Sequence, residues 1–351
     1  MIKTDILIIG AGPVGLFTVF EAGLLKLKCH LIDILPRPGG QCSELYPKKP
    51  IYDIPAHPEI LAGDLVENLL KQSKQFQPGF TLGERAEKII KKSDGIFEVT
   101  TDKGTVHQAP VVAIAGGLGG FEPRKPNLEN ISLYENRGVT YFVKDPNLYK
   151  NKNVLIAGGG DSALDWTIEL VNIAASLTLI HRRNEFRGAL DSVEKVQELK
   201  NKKKIKLITP AEVMSLIGDN KLKAVEIKTE NSDNLVLDVD HFIPLFGLTP
   251  KLGPINDWGL EIEKNSIKVN NSLDYQTNIP GIFAIGDINT YPGKLKLILC
   301  GFHEAAMMCQ SAYKIINPDK KFVLKYTTVS GISGFDGTVK KAELPVRKSI
   351  D

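Results

Sequence analysis

The stretch Gly10-Ala11-Gly12-Pro13-Val14-Gly15 decides the fold of this chain, together with the segments on either side of it. It follows the apolar run Ile6–Ile9, which is typical of a buried strand, and it leads into an apolar helical pattern. The spacing G-x-G-x-x-G between a strand and a helix is that of a dinucleotide-binding turn. Its glycines allow a tight turn and a close approach to a pyrophosphate, whose charge then lies at the helix N-terminus.

A second turn of the same kind, Gly158-Gly159-Gly160-Asp161-Ser162-Ala163, follows the apolar run Val154–Ala157. It fits the variant of the pattern that ends in alanine. Two such turns predict two bound dinucleotides, and two dinucleotides on one chain indicate electron transfer between them. The alternative at either position is a tight connection without a ligand.

The residues at the end of the next strand distinguish the two sites. Asp33 stands 18 residues after Gly15, where a carboxylate accepts hydrogen bonds from the hydroxyls of an unphosphorylated ribose. The second site has no acid there and carries basic residues instead, which bind a 2′-phosphate: His181, Arg182, Arg183 and Arg187. The first site is therefore predicted to bind FAD or NAD, and the second NADP.

Composition excludes several other functions. The chain has 351 residues, enough for two or three domains, and a formal net charge of +3, too small to indicate nucleic acid binding. Its four cysteines form no C-x-x-C pair, and no His/Cys cluster has the spacing of a metal site. The apolar stretch Ile6–Phe20 is interrupted by glycines and closed by Glu21, so we expect neither a signal peptide nor a membrane span. We expect a cytoplasmic protein.

The order of predicted elements indicates an α/β protein with two Rossmann-like, three-layer ββα dinucleotide-binding domains. The NADP domain, residues 121–249, is inserted into an FAD domain made of residues 1–120 and 250–351. The glycine- and proline-containing breaks Gly116–Pro126 and Gly247–Gly253 are the predicted crossings between them. Strands are also predicted over Ala109–Ala115 and Val139–Val143.

Several motifs carry a resemblance to a known family: Gly39-Gly40-Gln41, Leu45-Tyr46-Pro47, Ile51-Tyr52-Asp53, Phe121-Glu122-Pro123-Arg124, Tyr141-Phe142-Val143, Gly158–Trp166, His181–Arg187 and Gly286-Asp287. Over almost its entire length the chain resembles the thioredoxin reductase-like ferredoxin–NADP⁺ reductases of the pyridine nucleotide-disulfide oxidoreductase superfamily. Thioredoxin reductases carry a redox C-x-x-C where Phe142 and Asp145 stand here. Without thiols, a thiol relay at this position is excluded.

The resemblance implies FAD and NADP(H) as cofactors and a homodimer as the assembly. It implies hydride transfer between nicotinamide and flavin N5, followed by exchange of single electrons with ferredoxin or flavodoxin, with no catalytic side chain required. Two other readings stay open: an NADPH-dependent flavin reductase acting on a small acceptor such as a quinone or disulfide, and a non-catalytic flavoprotein redox sensor.

The resemblance also implies which residues hold the cofactors. Tyr46 stacks on one flavin face, and Tyr326, with Phe335 as the alternative, covers the other from a C-terminal tail. The FAD residues are Gly10, Gly12, Pro13, Gly15, Asp33, Gln41, Tyr46, Ala86, Phe121, Asp287, Tyr326 and Thr328. The NADP residues are Gly158, Gly159, Gly160, Asp161, Ser162, His181, Arg182, Arg183 and Arg187.

An acidic electron carrier would be attracted by a basic surface. The lysines that we expect to form such a docking surface are Lys48, Lys49, Lys294, Lys296, Lys320, Lys321 and Lys325.

Overall fold

The computed structural model describes residues 1–120, 122–230, 234–270 and 272–320. Within this part of the chain the α-helices are α1 (Pro13–Leu24), α2 (Gly40–Glu44), α3 (Ala62–Lys74), α4 (Ile131–Tyr134), α5 (Asp161–Leu170), α6 (Leu190–Asn201) and α7 (Ile298–Ile316). Single 3-10 turns lie at Pro146–Tyr149, Gly253–Asp257 and Gly286–Ile288.

A five-stranded parallel sheet forms the centre of the first lobe. In spatial order its strands are Ile282–Ala284, Val111–Ile114, Ile6–Ile9, Cys29–Asp33 and Gly79–Leu82. The three inner strands are wholly buried, as expected for a parallel sheet covered on both faces. The strand furthest along the chain lies at the edge, so this lobe is built from both ends of the described chain.

Helices and a second sheet cover the two faces of this central sheet. Helix α1 packs against α3 and α7. The second sheet has four strands in the order Ile2–Lys3, Val106–Ala109, Phe97–Thr101 and Ala86–Lys91. Phe97 and Val99 of this sheet are buried in the same hydrophobic core as the central strands, which gives the three-layer ββα arrangement. Two small sheets complete this lobe. One pairs Pro50–Ile51 with Ile60–Leu61, and the other has three strands, Ile262–Glu263, Ser266–Lys268 and Asn289–Thr290.

The inserted lobe repeats this plan with a sheet and core of its own. Its parallel strands, in spatial order, are Lys206–Ile208, Ser176–Ile180, Asn153–Ala157 and His241–Pro244. An antiparallel sheet accompanies them, made of Ala211–Gly218, Leu222–Thr229 and Asn234–Asp238.

The two connections between the lobes run side by side. Glu122–Pro123 pairs antiparallel with Leu248–Thr249, and Gly119 forms a bridge with Lys251. The chain thus leaves and re-enters the first lobe at one place, close to the predicted crossings. The domain boundaries at residues 120 and 249 stay predictions.

Two predicted strands differ from the structure, and proline explains both. The stretch Ala109–Ala115 is two strands in two sheets, because Pro110 separates Val106–Ala109 from Val111–Ile114 and donates no hydrogen bond. The predicted strand Val139–Val143 is wrong, because only isolated bridges form there.

One of those bridges joins Val139 to Phe242. The pairing would continue opposite Pro244, which has no N–H group, so the strand cannot extend in that direction.

Candidate dinucleotide-binding sites

A cavity of about 590 Å³ lies at the carboxyl ends of the central parallel strands, where ligands of open α/β sheets bind. Eight of the residues that the sequence assigns to FAD line it: Gly10, Gly12, Pro13, Asp33, Gln41, Tyr46, Ala86 and Asp287. Residues of the first glycine turn and glycines of the 116–120 segment line the cavity. Its volume suits a small molecule.

The glycines of the first turn serve different purposes. Gly10 has a φ of +112°, and a Cβ atom there would lie 2.4 Å from the Ala115 carbonyl oxygen. A Cβ atom on Gly15 would lie 2.1 Å from the Gly10 carbonyl oxygen, and Gly15 does not line the cavity. Gly15 therefore allows α1 to pack closely on the strand, whereas the space beside Gly12 is open except for Gly40 at 3.9 Å.

Asp33 ends its strand with both carboxylate oxygens held by the backbone. Oδ2 accepts a hydrogen bond from the Ala11 amide at 2.6 Å, and Oδ1 accepts one from the Leu35 amide at 2.8 Å. Burial raises the pKa of Asp33, and these two hydrogen bonds oppose that rise. Each oxygen retains a lone pair, so the carboxylate is oriented to accept two ribose hydroxyls.

Tyr46 lies where the long loop after the Cys29–Asp33 strand meets the cavity. It packs against the cores of both lobes. Tyr46 interacts with Cys42, whose thiol also lines the cavity. Burial raises the pKa of Cys42 to about 11, so this cysteine is a neutral thiol at physiological pH.

Asp287 follows the Ile282–Ala284 strand and lines the cavity. Burial raises its pKa, and Lys294 and Lys296 lower it. The predicted FAD residues Phe121, Tyr326 and Thr328, together with Phe335, lie outside the described residues.

These residues fit FAD. The glycine turn leaves room for a pyrophosphate beside Gly12, and Asp33 is fixed to bind a ribose. The wall formed by Gln41 and Tyr46 supplies an amide and an aromatic ring for a flat ring system.

Sequence reasoning missed Glu304, which is the one acidic residue of α7 and is fully buried beneath the Asp287 turn. A lone carboxylate in an otherwise apolar helix is a signal that could have singled it out, because buried acids are rare unless they are paired.

The second glycine turn leads directly into the N-terminus of α5. Gly158 packs against the Leu245 carbonyl, where a Cβ atom would lie at 2.6 Å. Gly160 is the N-cap of α5, and a Cβ atom on it would meet nothing within 4 Å. Ser162 is exposed in the first turn of this helix. The open side of Gly160 and Ser162 is therefore accessible to an anion.

The basic segment after the Ser176–Ile180 strand folds back onto this turn. The Arg187 amide donates to the Gly159 carbonyl at 2.7 Å, and the Ala189 amide donates to Asp161 Oδ1 at 2.8 Å. Asp161 thus ties the two parts of the site together. Arg182, Arg183 and Arg187 are exposed, so their guanidinium groups are available to a ligand.

His181 fills the space between the turn and the basic segment. Its ring stacks on Phe186 at 5.4 Å, and a Cβ atom on Gly159 would lie 2.3 Å from its Cε1 atom. Its Nε2 atom is buried and has no hydrogen-bond partner among the described residues. Burial lowers the pKa of His181, and the neighbouring arginines lower it further.

Ion pairs join the two lobes beside the cavity. Lys48 pairs with Asp145 at 2.7 Å, and Lys49 pairs with Asp165 at 2.7 Å. A third pair, between Lys144 and Glu44, measures 2.5 Å.

These pairs change the predicted docking surface. Lys48 and Lys49 are engaged in contacts between the lobes. The inclusion of Lys294 is wrong, because its side chain is only 6% exposed and pairs with Glu304. Lys296 and Lys320 are exposed, whereas Lys321 and Lys325 lie outside the described residues.

The described part of the chain contains neither a candidate metal site nor a candidate membrane-spanning helix. No group of three or more His, Cys, Asp or Glu residues there is placed to hold a metal ion. None of the helices in that part combines the length and the apolar character needed to cross a bilayer.

Comparison with known proteins agrees with this geometry. The family model described as pyridine nucleotide-disulphide oxidoreductase matches residues 4–313. A protein of Flavobacterium johnsoniae named ferredoxin–NADP reductase is 72% identical over 350 residues, which cover 100% of both chains. A protein of the same name from Parvibaculum lavamentivorans is 52% identical over 94% of this chain and 96% of its own.

Solved structures share the fold. Lactococcus lactis thioredoxin reductase in its FR conformation has a TM-score of 0.77 and 25% identity, over 90% of this chain and 100% of its own. The bacillithiol disulfide reductase of Staphylococcus aureus has a TM-score of 0.72 and 20% identity, over 92% of this chain and 100% of its own. The chain therefore belongs to the pyridine nucleotide-disulphide oxidoreductase family, within the thioredoxin reductase-like ferredoxin–NADP reductases.

Proposed function

We propose that this protein is an FAD-dependent reductase that transfers electrons between NADPH and ferredoxin or flavodoxin. One observation carries the proposal: a single chain holds a cavity with a ribose-binding carboxylate in one lobe and a glycine turn tied to an arginine segment in the other. The ribose end of the first site suits FAD, and the basic end of the second suits NADP(H).

In the first lobe, the chain's own groups position the flavin cofactor. Asp33 would bind the adenosine ribose, and the backbone of the Gly12–Pro13 turn at the N-terminus of α1 would lie against the pyrophosphate. Gln41 and Tyr46 contact the isoalloxazine from the loop, and Asp287 accepts from a hydroxyl of the ribityl chain. Phe121, Tyr326 and Thr328 keep their predicted roles in lining and covering the flavin.

In the second lobe, the N-terminus of α5 and the hydroxyl of Ser162 bind the NADP pyrophosphate. Arg182, Arg183 and Arg187 bind the 2′-phosphate. His181 stacks on Phe186 and thereby helps to hold the basic segment in place. Asp161 acts indirectly by holding Ala189 and the basic segment against the turn.

FAD held by these residues would supply the chemistry, which is hydride exchange with NADP(H) and single-electron exchange with an iron–sulfur or flavin partner. The chain has no redox cysteine pair at the position used by thioredoxin reductases, since Phe142 and Asp145 stand there. Cys42 lines the cavity as a neutral thiol, and none of the other cysteines among the described residues lines it. Disulfide reduction at the flavin is therefore disfavoured.

The test compares acceptors. The purified holoprotein is supplied with NADPH, and cytochrome c reduction is followed with and without an added bacterial ferredoxin. Stimulation by ferredoxin supports the proposal. Equal rates in both cases, with direct reduction of a quinone or a disulfide, would favour a flavin reductase for small acceptors.

Three further features stay predictions under this proposal: domain boundaries at residues 120 and 249, a homodimer, and a cytoplasmic location. Analytical ultracentrifugation of the holoprotein tests the second.

A further inference from the structure

The carboxylate of Glu304 accepts hydrogen bonds from the segment that forms one wall of the flavin cavity. Glu304 is fully buried in α7, and four donors converge on it. Oε2 accepts from the Gly286 amide at 2.7 Å and from Asn289 Nδ2 at 2.8 Å. Oε1 accepts from the Tyr291 hydroxyl at 2.8 Å and from Lys294 Nζ at 2.5 Å.

All four donors come from one short segment that also forms the cavity wall. Gly286 and Asp287 line the cavity, and so does Ile298 at the start of α7. Gly286 has a φ of +77°, a left-handed conformation that glycine adopts readily, and a hydrogen bond to its amide holds the turn in one position. The Glu304 carboxylate supplies that hydrogen bond, so it fixes the turn that presents Asp287.

The charge of Glu304 is balanced by Lys294. Both side chains are removed from water, with exposed fractions of 0% for Glu304 and 6% for Lys294. A buried ion pair is tolerated only when both partners are present and hydrogen-bonded, and loss of one partner leaves the other uncompensated. Lys294 also lies over the Tyr291 ring, with Nζ 5.3 Å from the ring centroid.

Lys294 and Glu304 have opposite effects on the pKa of Asp287. Lys294 lowers the pKa of Asp287, whereas Glu304 raises it. With both present, the wall beside Asp287 has little net charge from this source. With Glu304 neutralised, Lys294 would add a positive charge close to the cavity.

We propose that Glu304 is a positioning residue of the FAD site, which fixes the Gly286–Asp287 turn and neutralises Lys294 behind the flavin. The inference rests on the proposed function only in that FAD occupies this cavity. It assigns to α7 a role beyond packing, since its one acidic residue determines both the shape and the charge of the cavity wall.

The test uses the full-length holoprotein and three variants: Glu304→Gln, Lys294→Met and the double variant. Glu304→Gln keeps the shape of the side chain and one acceptor oxygen but removes the charge. We expect its FAD dissociation constant to rise about tenfold, measured by titrating the deflavinated protein with FAD.

The flavin midpoint potential separates an electrostatic role of Glu304 from a purely structural one. A purely structural role would not shift this potential according to the charge that each variant removes. The potential should rise in Glu304→Gln, because an uncompensated lysine favours the reduced, anionic flavin. It should fall in Lys294→Met and return towards the wild-type value in the double variant, which restores neutrality. Glu198→Gln, which breaks an exposed ion pair with Lys202 at the surface of α6, is the matched control.

If Glu304→Gln does not fold, Tyr291→Phe replaces it, because this change removes only one donor and keeps the ring. A smaller loss of FAD affinity in the same direction then supports the proposal. Wild-type FAD affinity and midpoint potential in the folded variants would overturn it. These readouts need no ferredoxin, so a wild-type protein that binds FAD but fails to reduce ferredoxin would refute the proposed function and leave this inference standing.

Discussion

The first lobe contains a pair of histidines that should make it sensitive to acid. His30 Nε2 and His107 Nε2 both contact Thr81 Oγ1, at 2.8 and 2.9 Å, between the two sheets of the lobe. Both histidines are buried. Burial lowers the pKa of His30 from 6.5 to about 4, and His107 contributes to that shift. Burial also lowers the pKa of His107.

The sign of the effect follows from these directions. A histidine whose pKa is lower in the folded state binds protons more readily after unfolding, so its contribution to stability is complete above pH 6.5 and is lost as pH falls. For His30 alone, the free energy of unfolding falls by about 2 kcal/mol at pH 5 and by about 3 kcal/mol below pH 4. His107 adds to the loss.

The assay is urea unfolding of the holoprotein at pH 7.5 and pH 5, followed by flavin fluorescence, which reports on the first lobe. His30→Gln keeps an amide that can contact Thr81 but cannot take up a proton in this range. The loss of stability between the two pH values should shrink by about 2 kcal/mol in this variant. His57→Gln, at an exposed position in the same lobe, is the control and should keep the wild-type loss. A pH dependence in His30→Gln equal to that of the wild type would refute the reasoning.

Three further predictions concern the two binding sites. Arg187→Gln should raise the KM for NADPH about tenfold and leave that for NADH unchanged, because one charge-assisted contact to the 2′-phosphate is lost; equal effects on both coenzymes in steady-state assays would contradict this. Asp33→Asn should weaken FAD binding about tenfold in titrations of the deflavinated protein, since one of its oriented acceptors becomes a donor; unaltered affinity would exclude a ribose contact. The Cys42 thiol should react slowly with a maleimide at pH 7.5, because burial raises its pKa to about 11; rapid labelling of this cysteine, located by mass spectrometry, would show that the thiol is accessible and ionised.

The glycine turns and the charged residues after the next strand could be predicted because they act locally. The tight turn at Gly10 and the carboxylate at Asp33 belong to one βαβ unit, so their spacing along the chain determines their positions in space. The α/β class with two Rossmann-like lobes follows from the same repetition. The arginine segment is equally local, since it follows the strand next to the second turn.

The rest could not be predicted because it depends on residues that meet only in the folded chain. From the sequence alone, Lys294 cannot be told from the surface lysines. In the structure it is buried in an ion pair with Glu304 of α7. The end of the predicted strand after Val139 is set by Pro244, which is distant in sequence. Lys48 meets Asp145 across the two lobes, so its role as a docking lysine could not be judged from composition.

One measurement tests the central claim most directly: anaerobic titration of the oxidised holoprotein with NADPH, and separately with NADH, followed by the flavin absorbance. Bleaching of the flavin by about one equivalent of NADPH, with recovery on adding oxidised ferredoxin and much weaker bleaching by NADH, is the predicted result. A purified protein without flavin, or one whose flavin is reduced equally well by both coenzymes, would contradict the account.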